Sequence, residues 1–336
     1  MLTEPRKSLG ERAPAEAAAI SVENLSRRFG KLEAVKGVSF AVHPGEIFGF
    51  LGPNGAVKST TTSMLTTLLT PSGGRAEVAG HDVVRERNQV RQAIGIIFQE
   101  QALDLRLSAL DNLWLHAILY GVPTARAAQR IEQGLRAVDL WDRRKEPVSR
   151  YSGGMKRRLE MARGLIHTPQ VLFLDEPTVG LDPQSRYAMW DYIQRLRQEF
   201  GLTIFMTTHY MDEAEACDRI AIMDKGSVIA LDSPAALKAS LGGDVISLKT
   251  EHNGLALAEL RERFGLEAKL AEDQLRLEVK DGGELLPRLL RELQVKILRV
   301  SLNQPTLDDV FVSLTGREMR DEGPADPRAM WMRRGR

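Results

Sequence analysis

A glycine-rich segment that follows an apolar strand constrains this chain more than any other feature of its sequence. The apolar run Ile47–Leu51 is followed at once by Gly52-Pro53-Asn54-Gly55-Ala56-Val57-Lys58-Ser59-Thr60. Glycines let backbone N–H groups turn inward, and the N-terminus of the following helix adds positive partial charge. We therefore predict a phosphate-binding loop, in which Lys58 reaches the outer phosphates and the Ser59 hydroxyl ligates Mg²⁺.

Val57 departs from the usual form of such a loop, Gly-x-x-x-x-Gly-Lys-Ser/Thr, which has glycine at this position. A β-branched residue is strained there if the backbone requires a positive φ, and its γ-methyl groups can occupy space that the phosphates need. Two interpretations stay open. The loop either binds phosphate despite the valine, or it is a strand-to-helix turn whose ligand binding is weakened or lost.

Two acidic residues follow a second apolar run, Val171–Leu174. Beside a phosphate loop, Asp175 is placed to approach the metal and Glu176 to approach an attacking water. A plain boundary between a strand and a turn has the same pattern, so this interpretation depends on the loop upstream.

A second candidate anion site opens a helix rich in Lys and Arg. It reads Ser152-Gly153-Gly154-Met155. A serine hydroxyl and free N–H groups at a helix N-terminus attract an anion. One nucleotide does not need two such loops, and a serine N-cap followed by flexible glycines is the plainer alternative.

Three single residues occupy positions where polar or aromatic contacts to a nucleotide are expected. Gln99 follows the predicted strand Ile94–Phe98, and His209 follows the predicted strand Thr203–Thr207. Gln99 is a candidate for contact with Mg²⁺ or water, His209 for contact with a γ-phosphate, and Phe29 for stacking on adenine. Taken singly, each is equally explained as a strand-end polar group or a packing residue.

The alternation of short β-branched runs with amphipathic segments predicts an α/β fold with a mainly parallel sheet. The clearest predicted strands are Val38–Val42, Ile47–Leu51, Ile94–Phe98, Val171–Asp175 and Thr203–Thr207, and the clearest helical segments are Thr124–Leu140 and Gly154–Ile166. After a predicted linker at Gly242-Gly243-Asp244, the sequence predicts strands at Val245–Leu248, Ala268–Leu270, Gln274–Val279 and Lys296–Leu302 and helices at Leu255–Phe264 and Gly283–Leu293. We expect a flexible leader at 1–19, a first domain at 20–240, a small α+β domain at 245–316 and a flexible tail at 317–336. The leader lacks the apolar core of a signal peptide. The basic, Trp-bearing end of the tail has an alternative interpretation as a contact for anionic lipid or a partner.

Composition narrows the function classes. The 336 residues carry 46 Lys and Arg against 45 Asp and Glu, so the net charge of +1 gives no bulk reason to expect a nucleic-acid partner. Cys217 is the only cysteine, which excludes an internal disulfide and a multi-cysteine metal site. The apolar stretch at 113–122 is shorter than the roughly 18 residues that a membrane span needs.

In their order along the chain, these elements resemble the ATP-binding cassette subunit of an ABC transporter over residues 20–240. The elements are Phe29, the loop from Gly52, Gln99, Ser152-Gly153-Gly154-Met155, Asp175-Glu176, Gly180-Leu181-Asp182 and His209. The resemblance implies a P-loop NTPase domain with a RecA-like core, a helical subdomain and an antiparallel β subdomain. It also implies a head-to-tail homodimer that holds two ATP molecules between the phosphate loop of one subunit and the Ser-Gly-Gly loop of the other.

By the same resemblance, Phe29 stacks on adenine, and Lys58 with the loop amides from Gly52 to Thr60 binds the β- and γ-phosphates. Ser59 and Gln99 hold Mg²⁺, and Asp175 binds that metal through water. Glu176 polarises the attacking water and His209 holds the γ-phosphate. Asp182 links the two sites across the dimer, where Ser152, Gly153, Gly154 and Met155 complete the partner's nucleotide site.

A narrower resemblance is to the ATP-binding subunits of daunorubicin-resistance-type exporters. It rests on Tyr-Ser-Gly-Gly-Met in place of Leu-Ser-Gly-Gly-Gln, and on three further segments, Gln99–Asp104, Leu119–Pro123 and Gln304–Phe311. This family implies a separate ABC-2-type membrane permease, against which the apolar stretch Leu113–Tyr120 is available to dock. The expected location is the cytoplasmic face of the membrane, with peripheral attachment through the permease.

Two functions follow as hypotheses. The first is an ATPase that powers export of a drug, antibiotic or other hydrophobic compound. The alternative is a catalytically impaired, nucleotide-sensing cassette in which Val57 weakens phosphate binding. A cassette protein acting on ribosomes or DNA is disfavoured, because such proteins usually carry two cassettes or a long coiled-coil insertion.

Overall fold

The computed structural model describes residues 18–316 except Glu272 and Gln304. Nearly all of the predicted leader at 1–19 and the whole predicted tail at 317–336 lie outside the described residues. The described part divides into two compact units. The first comprises the described residues up to Phe48, Val57–Thr207 and Lys225–Ser227, and the second comprises Gly49–Ala56, Thr208–Asp224 and the described residues from Val228 onward.

The strands of the described residues are, in chain order, β1 (Ile20–Phe29), β2 (Leu32–Val42), β3 (Ile47–Leu51), β4 (Gly73–Val78), β5 (His81–Asp82), β6 (Ile94–Ile97), β7 (Val171–Asp175), β8 (Thr203–Thr208), β9 (Arg219–Asp224), β10 (Ser227–Asp232), β11 (Asp244–Thr250), β12 (Ala268–Ala271), β13 (Gln274–Val279) and β14 (Ile297–Asn303). The α-helices are α1 (Lys58–Leu65), α2 (Arg87–Ala93), α3 (Ala109–Leu119), α4 (Thr124–Ala137), α5 (Gly153–Leu165), α6 (Pro183–Phe200), α7 (Met211–Glu215), α8 (Pro234–Ala239), α9 (Asn253–Phe264), α10 (Gly282–Glu292) and α11 (Leu307–Thr315).

An antiparallel sheet of strand order β2-β1-β4-β5 lies in the first unit. β1 and β2 form a hairpin that closes where Phe29 pairs with Leu32, and Gly30 in the turn has a φ of 57°. The predicted strand Val38–Val42 is the second half of β2, which begins earlier than expected. β1 escaped prediction because its polar sequence and its register shifts against both neighbours hide the alternation of a strand.

The central sheet has six strands in the order β10-β9-β3-β8-β7-β6. β6, β7 and β8 are parallel, with Ile97 opposite Leu174 and Asp175 opposite Thr207. The carboxyl ends of these strands therefore meet at one edge of the sheet, where ligands bind in open α/β folds. The predicted strands Ile47–Leu51 and Val171–Asp175 have the observed bounds, whereas β6 ends one residue earlier than predicted and β8 one residue later.

A stack of phenylalanine rings fills the core of the first unit. The ring centroids of Phe40 and Phe48 lie 5.6 Å apart, those of Phe48 and Phe205 5.8 Å apart, and those of Phe173 and Phe205 5.3 Å apart. These spacings are in the range of favourable aromatic pairs. The strands that carry the candidate site residues are thereby fixed to a rigid core.

Helix α5 lies unusually close to β6 because both elements carry a glycine at the contact. A Cβ atom at Gly95 would lie 2.5 Å from the carbonyl oxygen of Gly164. Neither the strand nor the helix can move apart without losing this packing, so α5 is held in a defined position relative to the sheet edge. The predicted helix Gly154–Ile166 matches α5 to within one residue at each end, whereas the predicted helix Thr124–Leu140 ends earlier, at Ala137, before Asp139 with its φ of 54°.

In the second unit, β11 to β14 form an antiparallel sheet of order β12-β13-β11-β14. Its buried residues pack with those of helices α9 and α10; the fully buried members include Ile246, Leu248, Leu260, Leu275, Leu277 and Leu289. The predicted strands and helices of this part are present with small shifts in their bounds, and Asp244, predicted in a linker, begins β11. In the described part of the chain, no helix combines the length and the apolar character that crossing a membrane requires.

Candidate functional site

Lys58 is the first residue of α1 and its side chain is buried, 5% exposed. Its Nζ atom lies 3.7 Å from Oε1 of Glu176, which follows β7. Burial lowers the pKa of Lys58, while the carboxylates of Glu176 and Asp175 act in the opposite direction. The predicted phosphate-binding lysine and the predicted base are thus in direct contact.

Asp175 and Ser59 also come together at this edge. The Ser59 hydroxyl lies 3.5 Å from Oδ1 of Asp175, which accepts a further hydrogen bond from the Thr207 hydroxyl. The backbone N–H of Glu176 donates to the Thr207 carbonyl oxygen at 3.2 Å and to its hydroxyl oxygen at 3.1 Å. Thr207, near the end of β8, therefore orients the carboxylate of Asp175 and the backbone of Glu176.

The donor set of Ser59 and Asp175 fits Mg²⁺. A hydroxyl and a carboxylate are hard oxygen ligands, and Mg²⁺ is commonly bound by one or two protein oxygens together with substrate phosphates. Within the described ranges, no cluster of three or more His, Cys, Asp and Glu side chains is placed to hold a metal. A metal held by Ser59 and Asp175 would share its coordination with substrate phosphates.

Val57 precedes α1 with a φ of 65° and a ψ of 28°, in the left-handed region. A valine is strained at this position if its φ is positive, and the structure meets that condition. The side chain makes no capping hydrogen bond to the helix. The Val57 carbonyl oxygen nevertheless accepts from the Thr61 N–H at 3.1 Å, so α1 begins with normal helical geometry.

The first half of the loop, Gly52–Ala56, belongs to the second unit. The Gly52 N–H donates to the Thr208 carbonyl oxygen at 3.3 Å, next to His209, whose ring lies 4.1 Å from that of Tyr210. A Cβ at position 52 would lie 2.5 Å from the Met223 carbonyl oxygen, which explains the first glycine of the loop. The intervening residues turn tightly, with Ala56 N–H donating to the Pro53 carbonyl at 3.1 Å and with Asn54 and Gly55 exposed.

The Ser-Gly-Gly sequence opens α5 as predicted. Ser152 is the N-cap, and its hydroxyl accepts a hydrogen bond from the Met155 N–H at 3.3 Å. Ser152 and Gly153 are exposed. The geometry therefore agrees with the plainer interpretation of Ser152 as a helix N-cap. The same exposed N-terminus is also accessible to an anion.

Three further predicted residues are on the surface. Asp182 is exposed and caps α6, with its carboxylate accepting from the Ser185 N–H at 3.0 Å; the Ser185 hydrogen bonds lower the pKa of Asp182. Phe29 is 47% exposed at the end of β1, with the Arg27 guanidinium 4.8 Å from its ring centroid. Gln99 is exposed just after β6. The roles assigned to these residues stay predictions.

Sequence reasoning missed three residues that organise the edge, namely Thr207, Arg157 and Glu160. Thr207 has no signal in the sequence beyond its place at a strand end. Arg157 and Glu160 are buried and ion-paired at 3.1 Å on α5. Their spacing of three residues is that of a helical ion pair, but in a run of basic residues it suggests a solvated surface rather than a buried pair.

Comparison with known proteins now identifies the family. The ABC transporter family model matches residues 35–179, and the model for the C-terminal domain of DrrA1-3-like ATP-binding proteins matches residues 233–315. The daunorubicin resistance ATP-binding protein DrrA3 of Streptomyces coeruleorubidus is 42% identical over 308 residues, covering 90% of this chain and 97% of that protein. The chain belongs to the DrrA family of ABC transporter ATP-binding proteins. Its fold, an ABC nucleotide-binding domain followed by a DrrA-like α+β domain, is the one predicted.

Other relatives are ATP-binding proteins named for resistance to, or export of, different compounds. The linearmycin resistance ATP-binding protein LnrL of Bacillus subtilis is 38% identical, covering 90% of this chain and 100% of that protein. The Nod factor export ATP-binding protein I of Burkholderia lata is 39% identical, covering 90% and 99%. Among solved structures, cbiO1 from Clostridium perfringens superposes with a TM-score of 0.63 at 27% identity, covering 74% of this chain and 96% of that chain.

Proposed function

We propose that the chain is the ATP-hydrolysing subunit of an ABC-2-type exporter, which moves a drug, an antibiotic or another hydrophobic compound through a separate permease. The observation that carries the proposal is the cluster of Lys58, Ser59, Asp175 and Glu176 at the carboxyl ends of parallel strands. A cation, a hydroxyl and two carboxylates in this arrangement suit phosphoryl transfer to water. The relatives named for drug resistance support the export of such compounds.

Each site residue has a proposed role. Lys58 and the amides of Gly52–Thr60 bind the β- and γ-phosphates, and Phe29 stacks on adenine. Ser59, Gln99 and Asp175 hold Mg²⁺, which when bound neutralises charge on the phosphate oxygens. His209 contacts the γ-phosphate.

Glu176 is the proposed base that polarises the attacking water. Its side chain is 12% exposed and lies beside the buried ammonium of Lys58. A positive neighbour favours the ionised form of a carboxylate, which is the form that accepts a proton. The hydrogen bonds from its backbone N–H to Thr207 fix the main-chain position from which the carboxylate side chain extends.

A homodimer accounts for the second anion site. Ser152 and Gly153 are exposed at the N-terminus of α5, and Asp182 is exposed at the N-terminus of α6. In the proposed head-to-tail dimer, Ser152–Met155 of one subunit completes the nucleotide site of the other, and Asp182 links the two sites.

The permease is proposed to dock on α3. Three apolar side chains of this helix are prominently exposed: Leu115 at 47%, Ile118 at 70% and Leu119 at 73%. An apolar helix face without a partner in its own unit suits a coupling helix from a membrane subunit. Docking there places the chain at the cytoplasmic face of the membrane, as a peripheral subunit.

Val57 favours the second candidate function, an impaired nucleotide-sensing cassette. Its left-handed backbone is one that a β-branched residue rarely adopts. If this strain is relieved by a shift of the loop, the amides no longer converge on the phosphates and binding weakens. Hydrolysis by the unaltered chain separates this function from the first.

The test of the proposed function compares the chain with its Glu176→Gln variant. We expect the variant to bind MgATP with the affinity of the parent and to form a homodimer when MgATP is present, because the amide retains the size of the carboxylate. Its turnover should fall by about 10² or more, since the group that orients the water is lost. Equal turnover by the two proteins would exclude Glu176 as the base.

A further inference from the structure

A buried ion pair on α5 lies outside the set of residues proposed to bind or hydrolyse ATP. Arg157 is 7% exposed and Glu160 is 1% exposed, and their side chains are joined at 3.1 Å. Burying two charges is unfavourable unless further hydrogen bonds satisfy them, and an apolar pair of the same volume is often as stable. The partners of these two side chains therefore indicate what the pair does.

The Arg157 guanidinium binds the main chain that carries the two acidic site residues. Its Nη2 atom donates to the carbonyl oxygens of Asp175 at 3.1 Å and of Glu176 at 3.4 Å, and its Nε atom donates to that of Pro177 at 2.9 Å. Successive carbonyls of an extended strand alternate in direction. Three of them converge here because Glu176 has a φ of 46°, which turns the chain toward the guanidinium.

The same pair also binds the segment that contains Gln99. Nη1 of Arg157 donates to the carbonyl oxygen of Phe98, and Oε1 of Glu160 accepts from the Ala102 N–H at 2.8 Å. Gln99 thus lies between two backbone groups that one ion pair holds. A guanidinium is planar and carries five N–H donors, so it can bond to the Phe98 carbonyl, to the carbonyls of residues 175–177 and to Glu160 at the same time. A lysine ammonium at this position cannot reach all of these groups.

We propose that Arg157, supported by Glu160, is a positioning residue that sets Gln99 and Glu176 relative to the Ser-Gly-Gly loop on the same helix. The proposal rests on the proposed ATP hydrolysis and extends it. Ser152 lies about one and a half turns before Arg157, at the N-terminus of α5. If the partner subunit's nucleotide displaces this N-terminus, Arg157 moves with the helix and shifts the segments that contain Gln99 and Glu176. The ion pair therefore makes the positions of Gln99 and Glu176 in one nucleotide site depend on whether the other site holds a nucleotide.

The experiment uses the full chain and three variants. Arg157→Lys keeps the charge and removes the fork. The double variant Arg157→Met with Glu160→Met removes both charges at similar volume, so it is expected to fold even if a single charge change does not. Arg158→Lys is the matched control, because Arg158 is the next residue on α5 and donates to the Val138 carbonyl and the Tyr192 hydroxyl, away from the strand ends.

Two readouts are measured beside the melting temperature. In the first, Arg157→Lys and the Met pair should lower kcat by at least about tenfold, since small displacements of reacting groups slow catalysis strongly. Their Kd for MgATP should stay within about threefold of the parent, because the phosphate loop is untouched. Adding Gln99→Ala to Arg157→Lys should lower kcat no further, because Gln99 is already displaced.

The second readout is amide hydrogen exchange in the nucleotide-free chain, which needs no turnover. The amides of Ala102, Asp175, Glu176 and Thr178 should exchange about tenfold faster in both Arg157 variants and at the parent rate in Arg158→Lys. Parent kcat and parent exchange in Arg157→Lys would overturn the proposal. An equal loss of stability and of kcat in all three variants would also overturn it, by showing a merely structural role.

If the parent itself does not hydrolyse ATP, the proposed function fails and the exchange data alone decide whether Arg157 fixes these segments. Unchanged exchange would then overturn the positioning role as well, and faster exchange confined to the Arg157 variants would support it.

Discussion

Two surfaces of the first unit differ in how their side chains are partnered. At the carboxyl ends of β7 and β8, polar groups are bonded to one another: Asp175 to Thr207 and Ser59, and Lys58 to Glu176. On α3, Ile118 and Leu119 are about three-quarters exposed. The first surface is a cluster of mutually bonded polar groups, and the second is an exposed apolar strip.

The difference separates two tasks. Preorganised charges stabilise a small, charged substrate, whereas an exposed apolar strip gains free energy by covering itself with another macromolecule. We infer that chemistry and coupling to the permease are carried by different residues of the same unit. Variants on one surface should therefore leave the task of the other intact.

The largest expected effect is on the polar surface. Lys58→Ala removes the cation and leaves Glu176 partly buried without it, so MgATP affinity should fall by about 10²-fold. Lys145→Ala, at an exposed position, is the control and should bind as the parent does. Isothermal titration with MgATP checks both, and an unchanged Kd in Lys58→Ala would break the assignment of phosphate binding to this surface.

The second effect concerns His116, on the same helix as the apolar strip. Burial, and then the charges of Arg163 and His167, lower the pKa of His116 from 6.5 to about 4. In the unfolded chain His116 binds a proton near pH 6.5, whereas in the folded chain it does so only near pH 4. The free energy of unfolding therefore decreases as the pH falls from about 6.5 to about 4, and this decrease levels off at lower pH. After allowance for the partial exposure of the ring, His116 contributes about 2–3 kcal/mol to this decrease in the free energy of unfolding.

His116→Leu tests this directly. Urea unfolding at pH 7 and at pH 4.5 should show a smaller loss of the free energy of unfolding in the variant than in the parent. A parallel loss in both proteins would mean that the histidine beneath the strip takes up its proton equally in the folded and unfolded states.

The third effect is on docking. Ile118→Asp places a charge at the centre of the exposed strip and should weaken association with the permease by about tenfold or more, because a large apolar contact is lost. Basal ATP turnover should not change. Leu68→Asp, at another exposed leucine of the first unit, is the control, and recovery of the permease from membranes with each variant is the measurement. Equal recovery with Ile118→Asp and the parent would move the docking site away from α3.

The smallest effect is at Val57. Glycine there removes a left-handed strain of about 1–2 kcal/mol but adds backbone entropy to the unfolded chain, so the net gain in stability should be about 1 kcal/mol or less. Val84→Gly is the matched control and should destabilise, because Val84 is not among the residues with positive φ. Thermal unfolding compares the two variants, and a loss of stability in Val57→Gly would show that the valine side chain packs favourably.

The sequence predicted much of this fold because its signals were local. Apolar strands with sharp ends, such as Val171–Asp175, and glycine-marked loops are visible in any window of the chain. The grouping of Lys58, Ser59, Asp175 and Glu176 was predicted from the phosphate loop upstream of the two acidic residues and from the resemblance to ABC cassettes. The DrrA-like C-terminal elements were equally visible, because β13 alternates between buried and exposed residues.

What the sequence did not show depends on tertiary contacts. β1 is a strand by virtue of its two neighbours, and its own residues alternate poorly. The partnership of Arg157 with three carbonyls depends on the positive φ of Glu176, which no residue type announces. The left-handed backbone at Val57 was the exception, because the expected glycine marked the position.

The most direct test of the account is ATP hydrolysis by the unaltered chain beside its Val57→Gly variant, at the same protein and MgATP concentrations. The account predicts turnover by both proteins, with the variant gaining chiefly in affinity. Turnover by the Val57→Gly variant alone would contradict it, and would show that this cassette senses or scaffolds rather than drives export.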